Sequence, residues 1–470
     1  MKKSEMKKLW RLLPFIILAV AVIAVTARSG LVAGKLQPFV SYQVAVVDYR
    51  LNLLEIRISY RCSSHDQVSF RCVGNGGLDP IEISAYSREG KELEISRSGR
   101  SWTVFNGKSD FELSYQVILT GEDRYSPLVR KKLSLLRTDR SRFLGMDLFL
   151  IPEKSTAEGV LVDYRTGKGE EIYSVYRNVG NRMILDECSQ LGNLLCVSGD
   201  YEQRSAQIGS TEIIFMISRG WSFGSSEIFS LIKDIVVHEI GMFGSSPHDR
   251  YLFVCDRNPV QGDGGFDYYG VHQGPNVLLL FDPRMKRSNL YDLNMAVISH
   301  EFFHNWNGEA LRPADESFMW FTEGVTVYYS YRVLKSLGII SPGRYRRKME
   351  QIRESYLDNP YRKIVPIADS GNSDMSDKDM VNLMYDGGLL AADALDRHLN
   401  DVSRGSVSLL ELLRNLYRKN SFGTRVDEGV LVREVRELTG RDISGFLTGL
   451  VRTPDPAEIS GRESDPAGGV

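Results

Sequence analysis

From Pro38 to about Gln207 the chain consists of short segments in which apolar and polar residues alternate, or apolar residues run together for strand lengths. Leu54-Glu55-Ile56-Arg57-Ile58 and Phe111-Glu112-Leu113-Ser114-Tyr115-Gln116-Val117 alternate, while Val44-Ala45-Val46-Val47 and Gly159-Val160-Leu161-Val162 are nearly continuous. A strand turns successive side chains to opposite faces, so alternation marks one buried face. Gly74-Asn75-Gly76-Gly77 and Arg88-Glu89-Gly90 separate the runs as turns. Many strands at short spacing predict a β-sandwich or a large curved sheet.

After about Ser210 the rhythm changes. Glu212–Ile217, Tyr251–Cys255 and Val277–Phe281 read as buried strands. Between the first two, Ser225 to Met242 places Ile228, Leu231, Ile232, Ile235 and Val236 at helical spacing. Helical patterns then cover Leu290–Trp306, Phe318–Leu337, Pro342–Leu357, Asp379–Leu399, Leu409–Lys419 and Asp427–Leu438. Pro313, Pro360 and Pro366 fall between them, where a missing amide donor is tolerated. The expected fold class is α+β multidomain. A β-sandwich-like domain over 38–207 is followed by a mixed domain over 208–400 and a helical extension over 401–453. The tail 454–470, rich in Pro, Gly and charge, is expected to be disordered.

Composition adds exclusions. The 470 residues carry 58 Lys+Arg against 60 Asp+Glu, so no basic excess exists to neutralise phosphates and a nucleic-acid partner is not expected. The balance hides a local asymmetry. Lys2, Lys3, Lys7, Lys8 and Arg11 precede the apolar run Leu12 to Ala27. Basic flanks stay on the cytoplasmic side, so residues 1–27 predict either a cleaved secretion signal or one membrane anchor. The following chain would then be extracytoplasmic, at the periplasm or cell surface. In an oxidising compartment Cys62 with Cys72, and Cys188 with Cys196, could form local bridges, leaving Cys255; reduced, half-buried thiols are the alternative.

The chemistry is concentrated in one place. The chain has seven histidines, and two of them stand in His300-Glu301-Phe302-Phe303-His304. On a helix, residues four apart differ by about 40° in azimuth and about 6 Å in rise, so both imidazoles leave one face and can share a metal ion. Glu301 sits beside that metal and can take the proton of a bound water. A structural zinc wants four protein ligands, a catalytic one three and an open position. Glu323, separated from His304 by eighteen residues, is the nominated third ligand, returned by a second helix. Val237-His238-Glu239-Ile240 begins the same way but has Met242 where the second histidine belongs, so it lacks the geometry.

The run His300-Glu301-Phe302-Phe303-His304-Asn305-Trp306-Asn307, then Leu311-Arg312-Pro313, then Trp320-Phe321-Thr322-Glu323-Gly324-Val325-Thr326-Val327-Tyr328-Tyr329, resembles the glycyl aminopeptidase family of gluzincin metallopeptidases. The resemblance is dense over Asn294 to Tyr331. It implies a β-rich N-terminal domain, a thermolysin-like catalytic domain and peptide or protein substrates. Many family members add a PDZ domain; no PDZ-like stretch is read after Leu450. It also implies one Zn2+ per chain on His300, His304 and Glu323, with Glu301 as general base. Tyr385, in Met384-Tyr385-Asp386-Gly387-Gly388, resembles the family's oxyanion tyrosine, although Gly387 replaces the usual lysine. The family holds the substrate's free amine with the glutamate of a Gly-Gly-Leu-Glu-His edge strand. Two registers compete for that place: Gly264-Gly265-Phe266-Asp267-Tyr268, which keeps an acid, and Tyr269-Gly270-Val271-His272-Gln273, which puts His272 there. A neutral or cationic imidazole would not attract an ammonium group, so exopeptidase and endopeptidase outcomes both stay open. A non-catalytic surface binding protein on a peptidase scaffold is a further alternative.

Overall fold

A computed structural model describes residues 40–61, 65–73, 78–119, 133–154, 159–165, 171–176, 178–257, 268–373 and 376–460. Residues 1–27, read above as a signal or anchor, Cys62 and residues 461–470 of the tail lie outside the described residues. Among those described, no helix is long and apolar enough to cross a membrane.

The alternating segments form sheets. A seven-stranded sheet runs in the order Asn178–Val179, Arg182–Leu185, Val160–Arg165, Val40–Asp48, Leu53–Tyr60, Phe111–Ile118, Ile81–Ser87. Only Val40–Asp48 and Val160–Arg165 pair in parallel within it. Its inward residues Tyr42, Val44, Ile56, Ile58, Leu113 and Tyr115 share one core with Phe70, Trp102 and Val104 of a four-stranded sheet. Tyr42 and Tyr115 donate hydroxyl hydrogen bonds to the carbonyls of Leu150 and Leu148, so their polar ends are satisfied inside that core.

The second half rests on a five-stranded sheet in the order Tyr201–Ile208, Thr211–Ser218, Arg250–Arg257, Asn276–Phe281, Tyr268–Gln273. Its three central strands are parallel and both outer ones antiparallel. Ile213, Phe215 and Ile217 face the helices, while Ile214 and Met216 face a separate cluster with Leu144, Leu195 and Val197 from the first half. Burial on both faces explains the uninterrupted apolar runs. Helix Ser225–Phe243 makes the crossover from Thr211–Ser218 to Arg250–Arg257, and one continuous core reaches from Ile213 to Ile459. The junction with the first half carries a buried ionic knot. Asp256, fully buried, receives Arg140, Arg142 and the Tyr201 hydroxyl.

Two expected helices are corrected. Leu290–Trp306 is not one helix: 3₁₀ turns at Arg287–Tyr291 and Leu293–Met295 precede a short α-helix, Ala296–Phe303. Asp292 caps Leu293 with its side chain and offers its carbonyl to Met295, which sets the restart. Asp379–Leu399 is interrupted as well, by a π-turn at Leu383–Gly387 between Lys378–Asn382 and Gly388–Ser403. Helix Met319–Ser336 agrees with its apolar spacing to within a residue or two. The proposed Cys188–Cys196 bridge is absent. Both are buried thiols, and the Cys196 thiol hydrogen-bonds the Tyr164 hydroxyl at 3.4 Å.

Candidate metal centre and active site

Helix Ala296–Phe303 lies between the crossover helix and helix Met319–Ser336, with Ile298, Phe302 and Phe303 in the core. Burying those residues leaves His300 and His304 on the opposite side. Their Nε2 atoms lie 3.0 Å apart, and the Glu323 carboxylate Oε2 is 3.2 Å from the first and 3.5 Å from the second. Among the described residues this is the one group of three metal-competent side chains whose ligand atoms all lie within 4.8 Å of one another.

Helix Met319–Ser336 aims Glu323 because it can approach closely. A Cβ on Gly324 would meet the backbone of Gly388 at 2.2 Å, so two glycines bring the Glu323 helix and the one following Tyr385 into backbone contact. Asn307 joins the same helix to the exit of the His-Glu helix. Its amide donates to the carbonyls of Phe321 and Thr322 at 3.2 and 3.0 Å, while its own carbonyl accepts His304 Nδ1 at 3.0 Å. That bond places the His304 proton on Nδ1 and leaves the Nε2 lone pair for the centre. Gly308, with φ near +145°, provides the turn, and a Cβ there would lie 3.1 Å from His304 Nδ1.

The donor set fits a zinc ion. Ligands at about 2.1 Å from a tetrahedral ion stand roughly 3.4 Å apart, close to the separations here. Glu323 Oε2 is buried with no hydrogen-bond partner, and both Nε2 atoms turn towards it and each other, as ligands of one cation would. Burial alone would raise the Glu323 carboxyl, but the two imidazoles beside it, His304 first, outweigh it and hold it well below the usual range. Burial would lower the His304 imidazole, yet Glu323 pushes it up to about 9.

Glu301 is 8 % exposed and borders the cluster. A Cβ on Gly270 would meet its Cγ at 2.4 Å and its Oε1 at 2.6 Å, so the edge strand Tyr268–Gln273 presses glycine backbone onto this carboxylate. Tyr385 lies in the π-turn, with its ring 6.0 Å from that of His300. Burial first, and then the Glu323 carboxylate, push its phenol well above the ordinary value, so it keeps its proton as a donor. Gly387, where a lysine was expected, is buried; a Cβ there would touch Tyr356 and Ile367 at 3.2 Å. A π-turn at a functional side chain re-aims it without ending the helix.

Of the two registers, His272 and Gly270 stand on the edge strand, whereas Gly264, Gly265 and Asp267 lie outside the described residues. His272 leads to residues that sequence reasoning missed. Its Nε2 is 3.1 Å from Asn305 Oδ1 and 3.4 Å from Glu309 Oε2, and His248 Nε2 is 3.0 Å from the same Glu309 oxygen. Burial would raise Glu309, but hydrogen bonds from His248 and His272 outweigh it and hold its carboxyl down at about 2. Four of the seven histidines thus gather here. Their scarcity was the available sign; the partners were not separable from ordinary loop residues.

A sequence profile described as M61 glycyl aminopeptidase matches residues 294–390. No curated protein sequence matches the chain. An aminopeptidase N family protein from Idiomarina loihiensis is structurally similar, with TM-score 0.75 at 18 % identity over 89 % of this chain and 76 % of that one. An M1 zinc metallopeptidase from Deinococcus radiodurans matches with TM-score 0.54 at 13 % identity over 92 % and 95 % of the two chains. A variant of it bound to a Tyr-Ser-Ala substrate gives TM-score 0.55 at 14 % identity, again over 92 % and 95 %. These neighbours establish a shared mixed α/β fold, sheet-rich at the N-terminal end and helical at the C-terminal end. With the profile match lying over the metal-competent residues, the chain is a zinc-dependent peptidase whose residues 294–390 are similar to the glycyl aminopeptidase family.

Proposed function

We propose that this chain is an exported or membrane-tethered aminopeptidase-like enzyme that holds one zinc ion on His300, His304 and Glu323 and hydrolyses peptide bonds there. The observation that carries the reading is the convergence of those three side chains beside Glu301. Zinc at this place supplies Lewis acidity towards a peptide carbonyl and makes water acidic near neutral pH. Glu301 takes the proton of the attacking water and returns it to the departing amine. The Tyr385 hydroxyl donates a hydrogen bond to the oxygen that gains negative charge, a task suited to a phenol that stays neutral. Asn307 holds the His304 tautomer. The thermolysin-like character of the catalytic part and the division at about residue 207 belong to the same proposal. Export rests on the basic head and apolar run of residues 1–27.

The test is direct. The full chain is expected to retain one zinc per molecule after dialysis and to cleave Ala- or Gly-linked chromogenic amides. Absence of bound zinc at neutral pH, or cleavage of none of these amides and no internally quenched peptide, overturns the reading. Fractionation of cells making the full chain checks export.

A further inference from the structure

The Glu309 carboxylate has no task in that mechanism, yet it is built into the wall of the metal centre. Its backbone amide donates to the His304 carbonyl at 2.9 Å, so the residue is fixed to the exit of helix Ala296–Phe303. Its side chain, 12 % exposed, turns to two other segments. Oε2 stands 3.0 Å from His248 Nε2, on the loop ahead of strand Arg250–Arg257, and 3.4 Å from His272 Nε2, on the edge strand. A carboxylate only accepts, so both ring nitrogens donate to it. The Asn305 side-chain amide donates to the Phe302 carbonyl at 2.7 Å, which turns Asn305 Oδ1 to the same His272 N–H at 3.1 Å. Strand and helix are matched in rise. Side chains two apart on a strand share a face, so Gly270 and His272 look the same way. Two strand residues rise about 6.7 Å and four helical residues about 6 Å, so Gly270 meets Glu301 where His272 meets Asn305. Whatever fixes His272 therefore fixes the height of Gly270 above Glu301.

We infer that Glu309 is a positioning residue: by gripping His272 it holds the edge strand at the spacing that keeps the Glu301 carboxylate aimed at the metal centre. The inference rests on the peptidase reading for the reaction it serves. A charged acceptor makes each of these hydrogen bonds about twice as strong as a neutral one would. His248 gives the carboxylate a second hold and is itself wedged, with the Tyr251 and Phe422 rings 5.4 and 5.5 Å from its own. Glu309 thus acts on Glu301 through the strand, and needs no contact with substrate to do so.

Two readouts test it. Hydrogen exchange is followed on the full zinc-loaded chain in peptides covering Tyr268–Gln273. Glu309→Ala is expected to speed exchange there about 10-fold, the range of one lost charge-assisted hydrogen bond, with Asn276–Phe281 unchanged and zinc retained. Unchanged exchange at the edge strand, equal acceleration in both strands, or loss of zinc overturns the inference. Kinetics then ask whether the grip acts through Glu301. Glu309→Ala and His272→Ala should each lower kcat about 10- to 100-fold with KM within about threefold, as expected for a catalytic group displaced by up to about 1 Å. The milder Glu309→Gln, which keeps the shape and one neutral accepting oxygen, should lower kcat by roughly 3- to 10-fold. In the Glu301→Gln background the same substitutions should change the residual kcat by less than about threefold, because the group they position is gone. Equal losses in both backgrounds, a loss confined to KM, or wild-type kcat in all three variants overturns the inference. A failure of the peptidase reading is distinct: wild-type chain would then cleave no peptide, whereas failure of this inference leaves wild-type turnover intact.

Discussion

Two His-Glu pairs lie on helices packed against each other, and their fates differ. His300-Glu301 meets a second imidazole one turn on, a returning carboxylate and a glycine strand. His238-Glu239 meets none of these. His238 reaches Ser336 Oγ at 3.0 Å, while Glu239 is fully buried and accepts a hydrogen bond from the Ser299 hydroxyl, next to His300. Burial pushes the Glu239 carboxyl well above its ordinary value, so it is a neutral acid under the zinc helix. The dipeptide is shared; the chemistry comes from what lies four residues on and what packs above.

The largest break of this comparison is Glu301→Gln. It should cost about 10²- to 10⁴-fold in kcat while zinc content stays at one per chain. Steady-state kinetics with metal analysis checks both, and kcat within threefold of wild type would falsify the general-base role. His304→Ala attacks the other half of the motif. It deprives the ion of one of three protein ligands and the Asn307 carbonyl of its donor, so zinc should be lost on dialysis and activity with it. Adding zinc in excess should recover only a small part, and full recovery would mean that His304 is not a ligand.

These residues were legible in the sequence because metal chemistry forces their spacing. His300 and His304 must be four apart on a helix, and Glu323 needs enough chain for a return. Strand alternation around Ile56 and Leu113, and helix Met319–Ser336, were legible for the same reason: one periodicity, one buried face. Asn307, Glu309 and His248 were not. Their work depends on which loop lies beside which, and a loop asparagine at the metal looks like any other. The π-turn at Tyr385 also escaped, since the apolar spacing of Leu383, Met384, Leu389 and Leu395 still reads as one helix when a residue is inserted into its turn.

Gly270→Ala sharpens the comparison from the substrate side. Glu239 is fully buried beside Ser299, whereas Glu301 is contacted by a strand that leaves room for no Cβ. The added methyl would sit 2.4 Å from Glu301 Cγ, so either the carboxylate or the edge strand must shift. A displacement of about 1 Å at a catalytic group costs about 100-fold, so kcat should fall by that order with zinc retained and Tm little changed. If kcat stays within about threefold, the close approach has no bearing on Glu301.

Glu239→Gln is expected to have the smallest effect, and its sign is fixed by linkage. A carboxyl whose folded pKa lies above its unfolded value near 4.5 contributes its full stability below that pH and loses it as the pH rises towards the folded value. Wild-type chain therefore bears a growing cost above pH 4.5 for keeping Glu239 protonated, and an amide in its place bears none. The Tm of Glu239→Gln relative to wild type should climb from pH 4.5 towards pH 8, because each pH unit adds about 1.4 kcal/mol for as long as the folded carboxyl keeps its proton, a few degrees per unit in a domain of this size. Turnover should not follow, because Glu239 meets Ser299 and not the reacting atoms. A flat difference across that range would show that Glu239 carries a charge, and the contrast between the two His-Glu pairs would then lie in their partners alone, not in their protonation.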